Sequence, residues 1–250
     1  MTESLESNPK KSNTCKNCGT IINDNYCGHC GQSANIHRLN LKHLLHNFFH
    51  AITHMDAGYL HTIRDLAIRP GHSVREYLQG KRSSHGDPIV MLLIVGGLCT
   101  WLYKDLHIKT LTSVDIASLK DGMQMASMKF FALAVLSYSL IFSLVDFLIF
   151  RYKRYNYIEL FVMNIFASIE ILVFFILIVP VWLVCNSLGV ENYLRIVVAL
   201  LDLAYLIYVR YQFFEVYVDK KAKVRIVGSA LAMLFLFAVT GWKTLLELFG

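Results

Sequence analysis

The amino-acid sequence predicts an all-α membrane protein: a five-span transmembrane helical bundle, preceded by a short cysteine-rich segment and amphipathic helices on the cytoplasmic side. Three observations point there. The 250 residues are 55% hydrophobic and only 17% charged, against about a quarter charged in soluble domains. The mean hydropathy is +0.46. Long apolar runs fill the chain from Pro88 onward, whereas the residues before it are polar and hold nine of the ten histidines. The net charge of +6 would suggest nucleic acid in a soluble protein, but in a multi-span chain Lys and Arg gather in cytoplasmic loops.

Residues 1–12 read as a disordered tail, and MTESLESNPKKSNT has no apolar h-region, so no cleavable signal peptide is expected. Residues 13–33 hold Cys15, Cys18, Cys27 and Cys30 in C-x2-C-x8-C-x2-C spacing, with Gly19 and Gly31 directly after the second cysteine of each pair. Two such knuckles offer four thiolates to one tetrahedral zinc. A segment this short has no apolar core, so the metal would supply its folding energy. Two disulfides would need an oxidising compartment, and the topology places these residues in the reducing cytoplasm. Four thiolates leave no open coordination position, so the zinc is expected to be structural, with His29 a neighbour. Lys16 is the one basic residue and Tyr26 the one aromatic between Cys15 and Cys30, which argues against nucleic-acid binding and for a protein-contact module.

Residues 38–87 read as amphipathic or interfacial helices. In LKHLLHNFFHAITHM, Leu41, Leu44, Leu45, Phe48, Phe49, Ile52 and Met55 share one face, and His43, His46, His50 and His54 the other. That stripe is either the solvated back of a surface helix or a second metal or pH-sensing site. A second helix, YLHTIRDLAI, is expected to stop before Arg69-Pro70-Gly71. A third is expected to start at Ser73, with Ser73 and Glu76 as a capping box and Gly80 as its stop. Lys81 and Arg82 follow and either contact a lipid headgroup or fix topology.

Residues 88–250 form the expected bundle, with spans at about 88–103, 130–150, 159–185, 194–214 and 224–242. The first is short, about 24 Å of helix against a bilayer core of roughly 30 Å. Basic residues fall on one side if there are five spans: Arg75, Lys81 and Arg82 before span one, Arg151, Lys153 and Arg154 after span two, and Lys220, Lys221, Lys223 and Arg225 after span four. Trp101, Trp182 and Trp242 fall at the opposite ends. The N-terminus is therefore expected inside and the C-terminus outside.

Acids inside lipid are costly, roughly 2.5–3.5 kcal/mol each near the centre. Glu170 and Asp202 lie at similar depth and are candidates for a proton or cation site, with Asn164 and Tyr205 as polar neighbours. The alternative is simple hydrogen bonding, or pairing with Arg195 or Arg210. Asp146 is shallow and is expected to reach the headgroups. Cys99 and Cys185 lie in apolar runs as small hydrophobes. No Gly-rich phosphate loop, G-x-S-x-G or H-E-x-x-H occurs, so nothing identifies an enzyme. The functional reading is a protein-contact or regulatory module at the membrane; the alternative is a small transporter or channel.

The run CKNCGTIINDNYCGHCGQ, followed by TIRDLAIRPGHSVREYLQGKR and a set of spans beginning at Pro88, resembles the bacterial membrane family catalogued as domain of unknown function 3667. The resemblance covers residues 15–105 by motif and the remainder by its spans. It implies a zinc-ribbon-tethered protein of the bacterial inner membrane, and no chemistry. Thr62, Pro70, Gly71, Gly80, Lys81, Arg82 and Pro88 match positions that the family pattern uses.

Overall fold

The computed structural model describes residues 13–36, 38–41, 44, 58–106, 131–150, 155–215 and 223–232. The tail 1–12, His43, His46, His50 and His54, most of the 104–129 loop and the end of the fifth apolar run lie outside these residues. Two short strands, β1 (Asn13–Thr14) and β2 (Ile21–Ile22), pair antiparallel. All the longer elements are helices: α1 (Gly58–Ile68), α2 (Pro70–Gln79), α3 (Pro88–Leu106), α4 (Phe131–Phe150), α5 (Tyr157–Ser187), α6 (Glu191–Phe214) and α7, residues 223–232.

Helix α5 is the hub, packing against α1, α2, α3, α4 and α6. Its first half buries Val162, Met163, Ile165, Phe166 and Ile169 completely or nearly so. Asn156 starts it with a reciprocal capping box, its side chain accepting from the Glu159 amide while Glu159 accepts from the Asn156 amide, both at 2.8 Å. The same carboxylate takes a two-pronged contact from Arg38 at 2.6 and 2.7 Å. Asn156 also donates to the Leu39 carbonyl at 3.0 Å. The chain leaving the cysteine segment is thus pinned to the start of the hub.

Two helices, Tyr157–Ser187 and the Ile196–Phe214 part of α6, are long and apolar enough to cross a membrane; Pro88–Leu102 and Val135–Phe150 are shorter apolar helices. Helix α3 runs 19 residues, about 28 Å, one turn beyond the stretch read as span one. These helices leave Leu98, Trp101, Ile141, Leu148, Leu177 and Leu200 exposed.

The expected break at Arg69-Pro70 is present, but α2 starts at Pro70 and not at Ser73. Proline occupies its first turn, where a missing N–H costs nothing, and Arg69 precedes it with no side-chain cap. Ser73 is buried inside the helix and uses its hydroxyl elsewhere. Gly80 does end α2 in a left-handed cap at φ 114, its N–H reaching the Glu76 and Tyr77 carbonyls.

The α1–α2 hairpin is built into the bundle. Tyr205 donates to the Leu66 carbonyl at 3.2 Å, Tyr208 to Ile68 at 3.4 Å, and the Gly71 amide donates to Gln212 at 3.0 Å. All three partners are on α6. At Gly71 the helices approach so closely that a Cβ would lie 2.6 Å from the Val209 carbonyl oxygen and against the Phe213 amide. Only glycine fits there.

Asp146 does not reach outward. It is fully buried and pairs with the equally buried Arg210 at 3.2 Å. Asn164 completes the group, accepting from Arg210 at 2.8 Å and donating to Asp146 at 3.0 Å. Asn164, expected as a polar neighbour of Glu170 and Asp202, and Arg210, named as an alternative partner for them, are therefore held by Asp146. Just below this group, Phe150 stacks on Phe214 at 3.9 Å.

Candidate metal centre and its docking loop

The four sulfurs of Cys15, Cys18, Cys27 and Cys30 lie within 4.8 Å of one another. Cys15 and Cys30 are 3.5 Å apart, as are Cys18 and Cys27. That is far beyond a disulfide bond of about 2.05 Å and close to the roughly 3.8 Å edge of a tetrahedron with 2.3 Å metal–sulfur bonds. The four cysteines can hold a metal ion.

The two knuckles are built alike. Gly19 donates to the Cys15 carbonyl and Gly31 to the Cys27 carbonyl at 2.9 and 2.8 Å, and both glycines have positive φ, 77 and 71. Cys15 N–H reaches Thr20 O at 2.7 Å, and Cys27 N–H reaches Gln32 O at 2.8 Å. Each turn thereby folds its two thiols toward a common centre. The Thr20 hydroxyl, 3.3 Å from Cys18 Sγ, and the Thr20 backbone pull that thiol down to about 5. That lowering favours the thiolate, the form that binds metal.

The cysteine segment is docked on the loop that joins α2 to α3. Gln32, itself buried, accepts from the Arg82 and Ser83 amides at 3.0 and 3.1 Å. Ser83 donates to the Cys30 carbonyl at 2.6 Å, and Ser84 to Asn17 Oδ1 at 2.9 Å. The spacing of the cysteines gave no hint of this partner, which lies about fifty residues further along the chain and needs the α1–α2 hairpin to bring it round.

The same loop carries His85. Its ring sits between Ser73 Oγ and Ser84 Oγ, 3.1 Å from each. Burial and the neighbouring His61 hold it below the usual imidazole range. His61, Asp65 and His85 bring one donor atom each to within 4.8 Å of one another, a cluster that was not apparent from the sequence. Its visible half was His61-x3-Asp65 on one helix face.

The three basic residues read as topology markers ahead of α3 are all engaged. Arg75 contacts the His72 ring and lies 3.9 Å from Glu215. Lys81 pairs with Glu76 at 3.1 Å, and the Arg82 guanidinium sits 5.8 Å from the centre of the Tyr77 ring.

Residues 56–99 match the model of a family described as a protein of unknown function (DUF3667). The match supports the resemblance over that stretch. No curated protein and no solved structure matches the chain. The DUF3667 segment comprises the α1–α2 hairpin, the docking loop and the first part of α3. It includes His61, Asp65 and His85 and none of the four cysteines. The structure gives its motif residues physical work. Thr62, fully buried, accepts from the Gly86 amide at 2.9 Å and so fixes the loop. Asp87 caps α3 at the Ile89 and Val90 amides, 3.0 and 3.2 Å away, with Pro88 in its first turn.

Of the intramembrane acids named from sequence, Glu170 is buried on α5 and Asp202 half-buried on α6. Glu170 Oε2 has no hydrogen-bond partner among the described residues. Tyr205, expected beside this pair, gives its hydroxyl to Leu66.

Proposed function

We propose that the chain is a non-enzymatic integral protein of the bacterial inner membrane, with five spans, its N-terminus inside and its C-terminus outside, and that its zinc ribbon is a cytoplasmic protein-contact or regulatory module. The observation that carries this reading is the division of the ribbon's surface. One edge is spent on the 80–86 loop, whereas Ile21 and Tyr26 stand 60% and 66% exposed beside the metal ligands. Exposed aromatic and aliphatic side chains on a rigid, metal-ordered knob suit a protein partner. Zinc is the metal favoured by four thiolates in a reducing compartment. Lys81 and Arg82 lie next to the ribbon, where they either contact anionic headgroups or fix the topology.

A photo-crosslinking residue at position 26 is expected to give one defined protein adduct in cells, lost in Ile21→Asp and in Cys27→Ser. A ribbon that crosslinks only to its own chain would count against the module.

A second reading, a small proton- or cation-coupled transporter using Glu170 and Asp202, is favoured by the buried Glu170 oxygen that lacks a partner among the described residues. In proteoliposomes with an internal pH dye, Glu170→Gln is expected to abolish a flux present in the wild type. A wild type without flux removes this reading.

A further inference from the structure

His61 and Asp65 stand one turn apart on α1, and His85 meets them from the docking loop, with the donor atoms of all three within 4.8 Å of one another. We propose that His61, Asp65 and His85 form a second, open metal site for a divalent transition ion such as zinc. Two imidazoles and a carboxylate suit such an ion. Three protein ligands leave a tetrahedral ion one position for water or an anionic oxygen, in contrast to the closed cysteine site.

The surroundings prepare each ligand. Asp65 Oδ2 is held by Arg69 at 2.6 Å, which leaves the other carboxylate oxygen for an ion and fixes the plane of the group. Ser84 gives its hydroxyl hydrogen to Asn17 at 2.9 Å, so at 3.1 Å from His85 Nδ1 it accepts that nitrogen's hydrogen. The lone pair of His85 is then on Nε2. Such a contact to the far nitrogen orients a metal-binding histidine. Nε2 faces the Ser73 hydroxyl at 3.1 Å, which can rotate to yield to an ion. Bonds of 2.0–2.2 Å need donor separations of about 3.3–3.6 Å, and the remaining closure falls to His61, the exposed member of the group.

Asn17 lies between the first two cysteines, so the ribbon contributes to the tautomer at the second site, together with the Lys81 backbone that also contacts the His85 ring. The two centres are joined by Asn17, Ser84 and His85.

The test uses the full chain in detergent, purified without a polyhistidine tag, loaded with zinc or cobalt and desalted. Native mass spectrometry is expected to count two metals per wild-type chain and one in His61→Ala and in Asp65→Asn. The cobalt–thiolate charge-transfer band should be unchanged in both, which shows that the ribbon is intact. Because His61 is exposed, its replacement leaves the fold in place. Asn17→Ala should weaken the second metal by about 10- to 100-fold and spare the thiolate band. A single metal in the wild type overturns the site, as does a second metal retained in His61→Ala, for instance on the histidines at 43–54. Unchanged affinity in Asn17→Ala overturns the link between the centres.

Discussion

Replacing Cys27 with serine is expected to release the whole cysteine segment from the protein. Between Thr14 and Ile36 the buried residues are Cys15, Cys27 and Gln32, two of them among the four cysteines that can hold a metal ion. Among the described residues no apolar core stands behind them, so burial contributes almost nothing to order. Binding of a structural zinc by four such ligands is worth about 10–16 kcal/mol at pH 7, more than the net stability of most domains. Loss of one ligand therefore unfolds the segment instead of loosening it. The measurement is hydrogen exchange. The Arg82 and Ser83 amides, which donate to Gln32, should lose protection in Cys27→Ser and in wild type treated with chelator. The α5 amides should keep theirs. Equal protection of Arg82 and Ser83 with and without metal would show that the segment folds and docks without it.

The second large effect is expected at Arg210. Arg210→Met leaves the Asp146 carboxylate buried with only Asn164, among the described residues, to answer it. Breaking a buried pair on one side costs about 3–5 kcal/mol, whereas replacing both partners with apolar residues is often neutral. Asp146→Leu combined with Arg210→Met should therefore recover most of the stability lost in Arg210→Met alone, read as thermal unfolding in detergent. A double variant as unstable as the single would assign the cost to packing around Phe150 and Phe214 rather than to the lone charge.

Local features of the sequence translated directly. The cysteine spacing with its two following glycines specifies two matching turns, and the Pro70 and Gly80 boundaries follow from backbone rules that involve only neighbours. Pairings across the chain did not translate. Asp146 and Arg210 are 64 residues apart, and their one signal is that each lies four residues before the end of its helix, Phe150 and Phe214. Depth alone does not say which way a side chain turns around its helix, and the rule that suggested Glu170 with Asp202 fits Asp146 with Arg210 equally well. Ser73 shows a different limit. The S-x-x-E pattern reads as a helix start, but Pro70 had already begun the helix, and the hydroxyl was drawn to His85. His85 itself follows the Lys81-Arg82 pair in a polar turn, where nothing in its immediate neighbours marks it as a site.

The α1–α2 hairpin also has a consequence in time. Its open backbone groups at Leu66, Ile68 and Gly71 are answered by Tyr205, Tyr208 and Gln212, 139 to 141 residues later. A ribosome delivers the hairpin long before those answers exist. During synthesis the segment must wait with its carbonyls in contact with water or headgroups, while α3, α4 and α5 are made. Its contacts to α5 come first, and the set is complete only when α6 arrives. Assembly thus ends where the chain nearly began, and a nascent chain stopped before residue 205 would carry an unlatched hairpin open to proteases and chaperones.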